Sequence, residues 1–271
     1  MYESFWNLTH KPFAYRVDVD DMYRSKSLQT AALRLRYCFD NNAGAALLLG
    51  ASGAGKSSLV RLLKAEGTAL RPFVHLAFPG FSSAELTRVI ACEVTSMDSV
   101  SGLNSDEVLV RLHQSLRNHA EAETHPVVVL DEAHLMSNET LNEVVLPLLN
   151  LAEVDFGLQY SVVLVGQPAL GAHIAKNAQL RERIAVTATM DGWSHNETAD
   201  YIQSRLRSAG AKRSIFADDA INAIVQISGG NPRRINRLCD MALLVGYSDQ
   251  AEQIVGSDIQ SLSGEILPAA A

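Results

Sequence analysis

Gly50-Ala51-Ser52-Gly53-Ala54-Gly55-Lys56-Ser57 is the stretch on which the reading of this chain turns. It matches GxxxxGK[ST], follows an apolar run at 45–49 and opens a helical pattern at about 57–66. Glycines let the backbone curl so that several N–H groups face inward around phosphate oxygens. The start of the helix, Lys56 to Ser58, adds its positive end. Lys56 supplies a mobile cation for β- and γ-phosphates, and Ser57 a hydroxyl for Mg²⁺. The alternative is a glycine-rich turn without function, and the order strand, loop, helix argues against it.

The second part is Val127-Val128-Val129-Leu130-Asp131-Glu132-Ala133-His134. An apolar strand ends in two carboxylates. Asp131, at the strand's C-terminal edge, is suited to order Mg²⁺ and its waters. Glu132 is suited to polarise a water for attack on a γ-phosphate. An acidic pair after a strand is a weak signal alone. Its place after a phosphate loop, across one intervening strand, makes it a strong one. His134 reads as a loop or packing residue sooner than a catalytic one.

The organisation spreads outward from these segments. Strand candidates lie at 45–49, 73–77, 127–130, 161–165 and 184–188. They are apolar throughout or nearly so, as in strands covered on both faces. Helical patterns intervene at about 57–66, 83–96, 105–122, 138–152 and 169–176. Pro147 falls inside the fourth, where proline costs about 3 kcal/mol unless the helix kinks. The alternation implies an α/β fold with a parallel, doubly wound sheet sandwiched by helices. Before it lies an arm over 1–27 with Phe5, Trp6, Phe13, Tyr15 and Tyr23. A helix from 28 to 39 follows, with Leu33, Leu35 and Phe39 as candidate core positions and Asn41-Asn42-Ala43-Gly44 as its stop. After Met190 the strand signal ends. Residues 194–209, 217–228, 231–247 and 256–263 look helical, and Asp191-Gly192 is a plausible joint. The expected domains are the arm at 1–27, the α/β core at 28–190 and a small helical domain at 191–267.

In the helical part, Gly229-Gly230-Asn231-Pro232-Arg233-Arg234 contains a helix start at Asn231-Pro232. That places Arg233 in a first turn, where a cation is electrostatically disfavoured. A bound anion such as a γ-phosphate would lift the penalty. A basic, solvent-facing helix is the alternative, and Arg234 and Arg237 fit either that or a DNA-facing patch.

Composition sets outer limits. The 271 residues are 47% hydrophobic and 20% charged, ordinary for a globular protein. A net charge of −7 excludes a polycation that coats nucleic acid through its whole surface. Cys38, Cys92 and Cys239 lie far apart, which suggests neither a disulfide framework nor a zinc site and fits a reducing compartment. No basic segment followed by an apolar one opens the chain, and the apolar run at 43–51 is too short to cross a bilayer. A cytoplasmic protein without membrane insertion of its own is the expectation.

With these residues in place, the chain resembles the AAA+ ATPases of the general secretion pathway protein A type, called ExeA-like, which are akin to pilus-assembly and transposition ATPases. The resemblance runs through Phe5-Trp6-Asn7-Leu8, Pro12-Phe13, the two motifs above, Leu164-Val165-Gly166-Gln167-Pro168, Leu180-Arg181-Glu182-Arg183-Ile184 and Gly230-Asn231-Pro232-Arg233-Arg234-Ile235-Asn236. It implies a P-loop sheet with a helical lid, ATP and Mg²⁺ as ligands, and self-association on ATP binding. It implies that the strand ending at Gly166 lies between the two motifs. Gln167 would then sense the attacking water or the γ-phosphate, or else close a turn before Pro168. Arg183, or less well Arg181, is the candidate finger for a neighbour's γ-phosphate. The alternative for both is a surface residue paired with an acid such as Glu182. Arg233 matches the family's lid arginine.

Three functions compete on these grounds. The first is an ATPase whose nucleotide state regulates assembly of a secretion, pilus or polysaccharide-export machine. The second is a DNA-binding regulator similar to transposition ATPases, which the seven Lys or Arg against two acids between Arg205 and Arg237 permit. The third is a switch that binds ATP and barely turns over, against which Glu132 argues. A helicase would need a second motor domain, and a protein kinase a catalytic-loop motif.

Overall fold

The computed structural model describes residues 1–14, 19, 22–67, 69–77, 80–95 and 102–266. Tyr15, Ser96 and Leu267 of the expectations above lie outside them. The chain forms two compact units.

The first unit comprises Lys26–Ser52 and Lys56–Met190. Its five strands are β1 (Ala45–Gly50), β2 (Phe73–Ala77), β3 (Val127–Asp131), β4 (Ser161–Gly166) and β5 (Ile184–Met190). They form one sheet in the order β2-β3-β4-β1-β5, and every pairing is parallel. The helices are α1 (Lys26–Asp40), α2 (Lys56–Glu66), α3 (Ser83–Thr95), α4 (Ser105–Glu121), α5 (Asn138–Thr140), α6 (Leu146–Val154), α7 (Pro168–Lys176) and α8 (Ala178–Arg183). Parallel strands need crossovers, so helices cover both faces. Leu47, Val128, Leu130, Val162 and Leu164 form one core with Leu86, Ile90, Leu112 and Leu116 of α3 and α4. Strand alternation turns Ala46, Leu48, Val129, Val163 and Val165 to the other face, and they are buried as well. Each buried Leu, Ile or Val among them contributes about 1.5–3 kcal/mol by leaving water.

Burial on both faces holds for β3 and β4 but not at the sheet's edges. Ala185, Thr187 and Thr189 of β5 are exposed, alternating with more covered neighbours. In α1, Leu35 and Phe39 are buried as expected, whereas Leu33 is 68% exposed. Positions two apart on a helix point about 200° apart, so Leu33 and Leu35 cannot both face the sheet. Leu28, Ala31, Ala32 and Cys38 complete the buried stripe.

Pro147 is accommodated by a π turn. Leu141–Val145 connects α5 to α6, and the Leu146 N–H donates to the Leu141 carbonyl five residues back. Proline has no N–H to give and crowds the carbonyl four residues before it. The wider turn removes the regular pairing where it would have failed. The short helix α8 went unread in the sequence; Asn177 starts it by accepting from the Leu180 N–H at 3.3 Å.

The second unit joins Met1–Ser25 and Gly53–Gly55 to the chain from Asp191 onward. Its helices are α9 (His195–Ser208), α10 (Asp218–Ser228), α11 (Pro232–Ser248) and α12 (Gly256–Ile266). The N-terminal segment enters their core. Tyr2, Trp6, Leu8 and Phe13 are buried among Ile202, Leu206, Phe216, Leu238 and Leu243. Trp6 Nε1 donates to the Leu243 carbonyl at 2.9 Å, and Arg205 Nε donates to the Pro12 carbonyl at 2.7 Å. Among the described residues no helix is long and apolar enough to cross a membrane.

Candidate nucleotide site

The loop after β1 owes its shape to glycine. Gly53 and Gly55 have φ of +82° and +96°, a region that side chains disfavour. A Cβ at Gly53 would also lie 2.7 Å from Arg233 Cβ and 2.8 Å from Asn231 Oδ1, both in the same unit as Gly53. Lys56 opens α2, is 6% exposed, and donates from Nζ to the carbonyls of Gly50 at 2.8 Å and Ala51 at 3.0 Å. Ala54 is buried, whereas Ala51 and Ser52 are exposed. Ser58 accepts from Arg61 Nη2 at 3.3 Å.

Ser57 and Asp131 meet. The Ser57 hydroxyl donates to Asp131 Oδ2 at 3.0 Å. The β3–β4–β1 pairing carries the end of β3 to within one strand of the loop. His75, on β2, places Nε2 3.2 Å from the same oxygen, and the Glu132 N–H donates to Oδ1 at 2.8 Å. Burial alone would raise the Asp131 carboxyl. Hydrogen bonds from His75, the Glu132 N–H and Ser57 outweigh it and hold the group below its ordinary range. The hydroxyl and carboxylate are hard oxygen donors, a set that fits Mg²⁺ beside a phosphate better than zinc. Among the described residues no group of three His, Cys, Asp or Glu is arranged to hold a metal. Ser57 and Asp131, with phosphate and water, would hold Mg²⁺.

Glu132 follows in a left-handed conformation, φ 52° and ψ 29°. For a residue other than glycine this costs about 1–3 kcal/mol, a strain found most often at functional sites. Its side chain is 46% exposed. Gln167 stands at the end of β4, which lies between β3 and β1. It is the N-cap residue of α7, but its side chain makes no capping hydrogen bond. Its Nε2 lies 2.9 Å from His134 Nε2 instead.

Arg183 is placed elsewhere in this unit. It ends α8, immediately before β5, and the parallel β1–β5 register pairs Ala45 with Ile184 and Gly50 with Met190. Arg183 thus sits by the start of β1, whereas the loop leaves its end. At about 3.3 Å per residue the two ends are roughly 17 Å apart, beyond an arginine's reach. Arg183 Nη2 pairs with Glu153 Oε2 at 2.8 Å rather than with Glu182. Arg181 is exposed, with only a 3.5 Å approach to the Ala175 carbonyl. Arg233 lies in the first turn of α11, where Asn231 accepts from the N–H groups of Arg233 and Arg234 at 3.1 and 3.3 Å. His75 and Glu153 were missed by sequence reasoning. A histidine inside the apolar run 73–77 was the one available signal for the first.

A parallel sheet in this order with a glycine loop of this shape defines a P-loop nucleotide-binding protein. Residues 40–172 match the AAA domain family, so this part of the chain is similar to AAA domains. More narrowly, it is similar to General secretion pathway protein A of Aeromonas hydrophila, 30% identical over 269 residues. That alignment covers 98% of this chain and 48% of the relative, so the chain spans about half of that protein's length. Solved structures share the fold at lower identity. They include Cdc6p of Pyrobaculum aerophilum (TM-score 0.67, 19% identity, 99% of this chain and 72% of that one). The RuvB Holliday junction branch migration motor of Thermotoga maritima is another (TM-score 0.60, 17% identity, 95% and 74%). A Walker-type ATPase of Pyrococcus abyssi is a third (TM-score 0.66, 17% identity, 94% and 75%).

Proposed function

We propose that this chain binds ATP with Mg²⁺, hydrolyses it, and uses its nucleotide state to govern self-association. Through that association it regulates assembly of a secretion, pilus or polysaccharide-export machine in the cytoplasm. The observation that carries the reading is the Ser57–Asp131 contact at 3.0 Å, which couples the phosphate loop to the acidic strand end.

Residues 50–58 bind the phosphates, with Lys56 as their cation. Ser57 and Asp131 would hold Mg²⁺, which when bound offsets phosphate charge. Glu132 takes a proton from the water that attacks the γ-phosphorus, and the bond to the β-phosphate oxygen breaks to release ADP. Gln167 orients that water. Arg183 acts on the γ-phosphate of a neighbouring copy, and Arg233 of the helical lid (191–267) senses it. The name of the Aeromonas relative supports the secretion half of the reading.

Fluorescent-ATP affinity and phosphate release in two variants test it. Lys56→Ala is expected to lose ATP affinity. Glu132→Gln is expected to bind ATP and hydrolyse it at least about a hundredfold more slowly. Wild-type turnover by Glu132→Gln would sink the assignment.

A second reading, a DNA-binding AAA regulator, draws on one feature of the helical unit. Arg207, Lys212 and Arg213 line a groove of about 370 Å³ over Leu206 and Phe216. Filter binding to duplex DNA with and without ATP, over a salt series, tests it. A steep fall of affinity with salt supports it, and no retention at low salt removes it.

A further inference from the structure

Glu132 and Gln167 come from different strand ends, and one side chain lies between them. His134 Nε2 is 2.9 Å from Gln167 Nε2, and His134 Nδ1 is 3.4 Å from Glu132 Oε2. The imidazole is only 10% exposed, and among the described residues its buried Nδ1 makes no hydrogen bond, the Glu132 carboxylate at 3.4 Å included. A packing residue needs neither nitrogen. Here both face the two groups assigned to the attacking water.

The backbone is built for this meeting. The left-handed turn at Glu132 leads into a 3-10 turn at Ala133–Leu135. A Cβ at Gly166 would lie 3.2 Å from the His134 backbone nitrogen and 2.8 Å from Leu170 Cδ2. Glycine at 166 therefore lets the turn close onto the end of β4.

Hydrogen-bond polarity then runs one way. An amide nitrogen only donates, so His134 Nε2 accepts. In the neutral ring the proton is thereby on Nδ1, the nitrogen 3.4 Å from Glu132 Oε2, with no hydrogen bond yet formed between them. The amide oxygen of Gln167 remains to accept from water. The 3.4 Å separation is long for a hydrogen bond, and such catalytic contacts tighten in the reacting complex.

We propose that His134 is a positioning residue for hydrolysis, holding the Glu132 carboxylate and the Gln167 amide as one hydrogen-bonded unit around the attacking water. The proposal rests on the ATPase reading above. Steady-state kinetics of His134→Ala, Gln167→Ala, their double variant and Glu132→Gln test it, with fluorescent-ATP affinity measured for each. His134→Ala is expected to lose about tenfold or more in kcat, with ATP affinity kept within about twofold. In the Gln167→Ala background the same change is expected to lose less than about threefold, because the unit is already broken. His134→Gln keeps a polar side chain of similar reach and guards against a misfolded alanine variant. It should lose less kcat than alanine. Full kcat in both His134 variants beside a stalled Glu132→Gln overturns the proposal and leaves the ATPase reading standing. So does a loss that multiplies in full in the Gln167→Ala background. Normal turnover by Glu132→Gln removes the ATPase reading itself, and the role of His134 with it.

Discussion

Arg183 Nη2 lies 2.8 Å from Glu153 Oε2, so the candidate finger already has an acidic partner in its own subunit. Glu153 is 56% exposed. Arg183 is 25% exposed, so only the acidic partner is open to water, and such a pair contributes about 1 kcal/mol.

Arg183→Ala is therefore expected to bind ATP like the unmodified protein and hydrolyse it about 10³-fold more slowly. Because Arg183 sits at the opposite end of β1 from its own loop, it can act on a γ-phosphate only if that phosphate is bound to another copy. Mixed hetero-oligomers of Arg183→Ala and Lys56→Ala should recover activity, since some contacts pair an intact loop with an intact arginine. Specific activity should rise with protein concentration. No recovery in verified mixtures, with activity independent of concentration, would refute action between subunits.

Arg233 starts α11, where the helix end disfavours a cation. A γ-phosphate would reverse that cost, whereas ADP lacks the group. Arg233→Ala should thus narrow the difference between ATP and ADP affinity more than it weakens ADP binding. Titration of both nucleotides decides, and equal losses would count against the assignment.

Trp6 is 1% exposed and bonded to the Leu243 carbonyl, whereas Leu33 is 68% exposed. Trp6→Ala should cost about 3–5 kcal/mol in denaturant titration, because it empties a packed socket. Leu33→Ala should change stability by less than about 0.5 kcal/mol. Similar values for the two would contradict the packing described.

Burial pushes the Cys38 thiol up to about 11, and that of Cys239 well above its ordinary value. Both stay protonated, sheltered and unreactive at neutral pH. Cys92 is half-buried. Alkylation followed by mass spectrometry should find Cys92 modified first in native protein, and the other two only after denaturation. Early labelling of Cys239 would show that the helical core opens.

The strands and the two motifs at the ends of β1 and β3 were legible because their signals are local. A run such as 161–165 must be buried to be stable, and Gly53 and Gly55 announce a backbone that other residues resist. Distance in sequence hid the rest. Nothing near Trp6 says that its socket is Leu243, and nothing near Arg183 points to Glu153. His75 reads as one polar letter in an apolar run until β2 is seen beside β3. Pro147 announced a disturbance, but a kink and a π turn both accommodate the same missing N–H, and only neighbouring packing chooses between them.

Trp6 and the carbonyl it bonds are 237 residues apart. On a ribosome adding about 5–20 residues per second, roughly 10–50 s separate the indole's appearance from that of its socket. Through that interval Tyr2, Trp6, Leu8 and Phe13 are apolar groups whose covering helices have not been made. The newborn chain therefore presents a greasy strip while its sheet is being completed. Such a strip is what a holdase chaperone grips, and an aromatic tether of this kind makes the helices that carry Leu206, Leu238 and Leu243 the ones that release it.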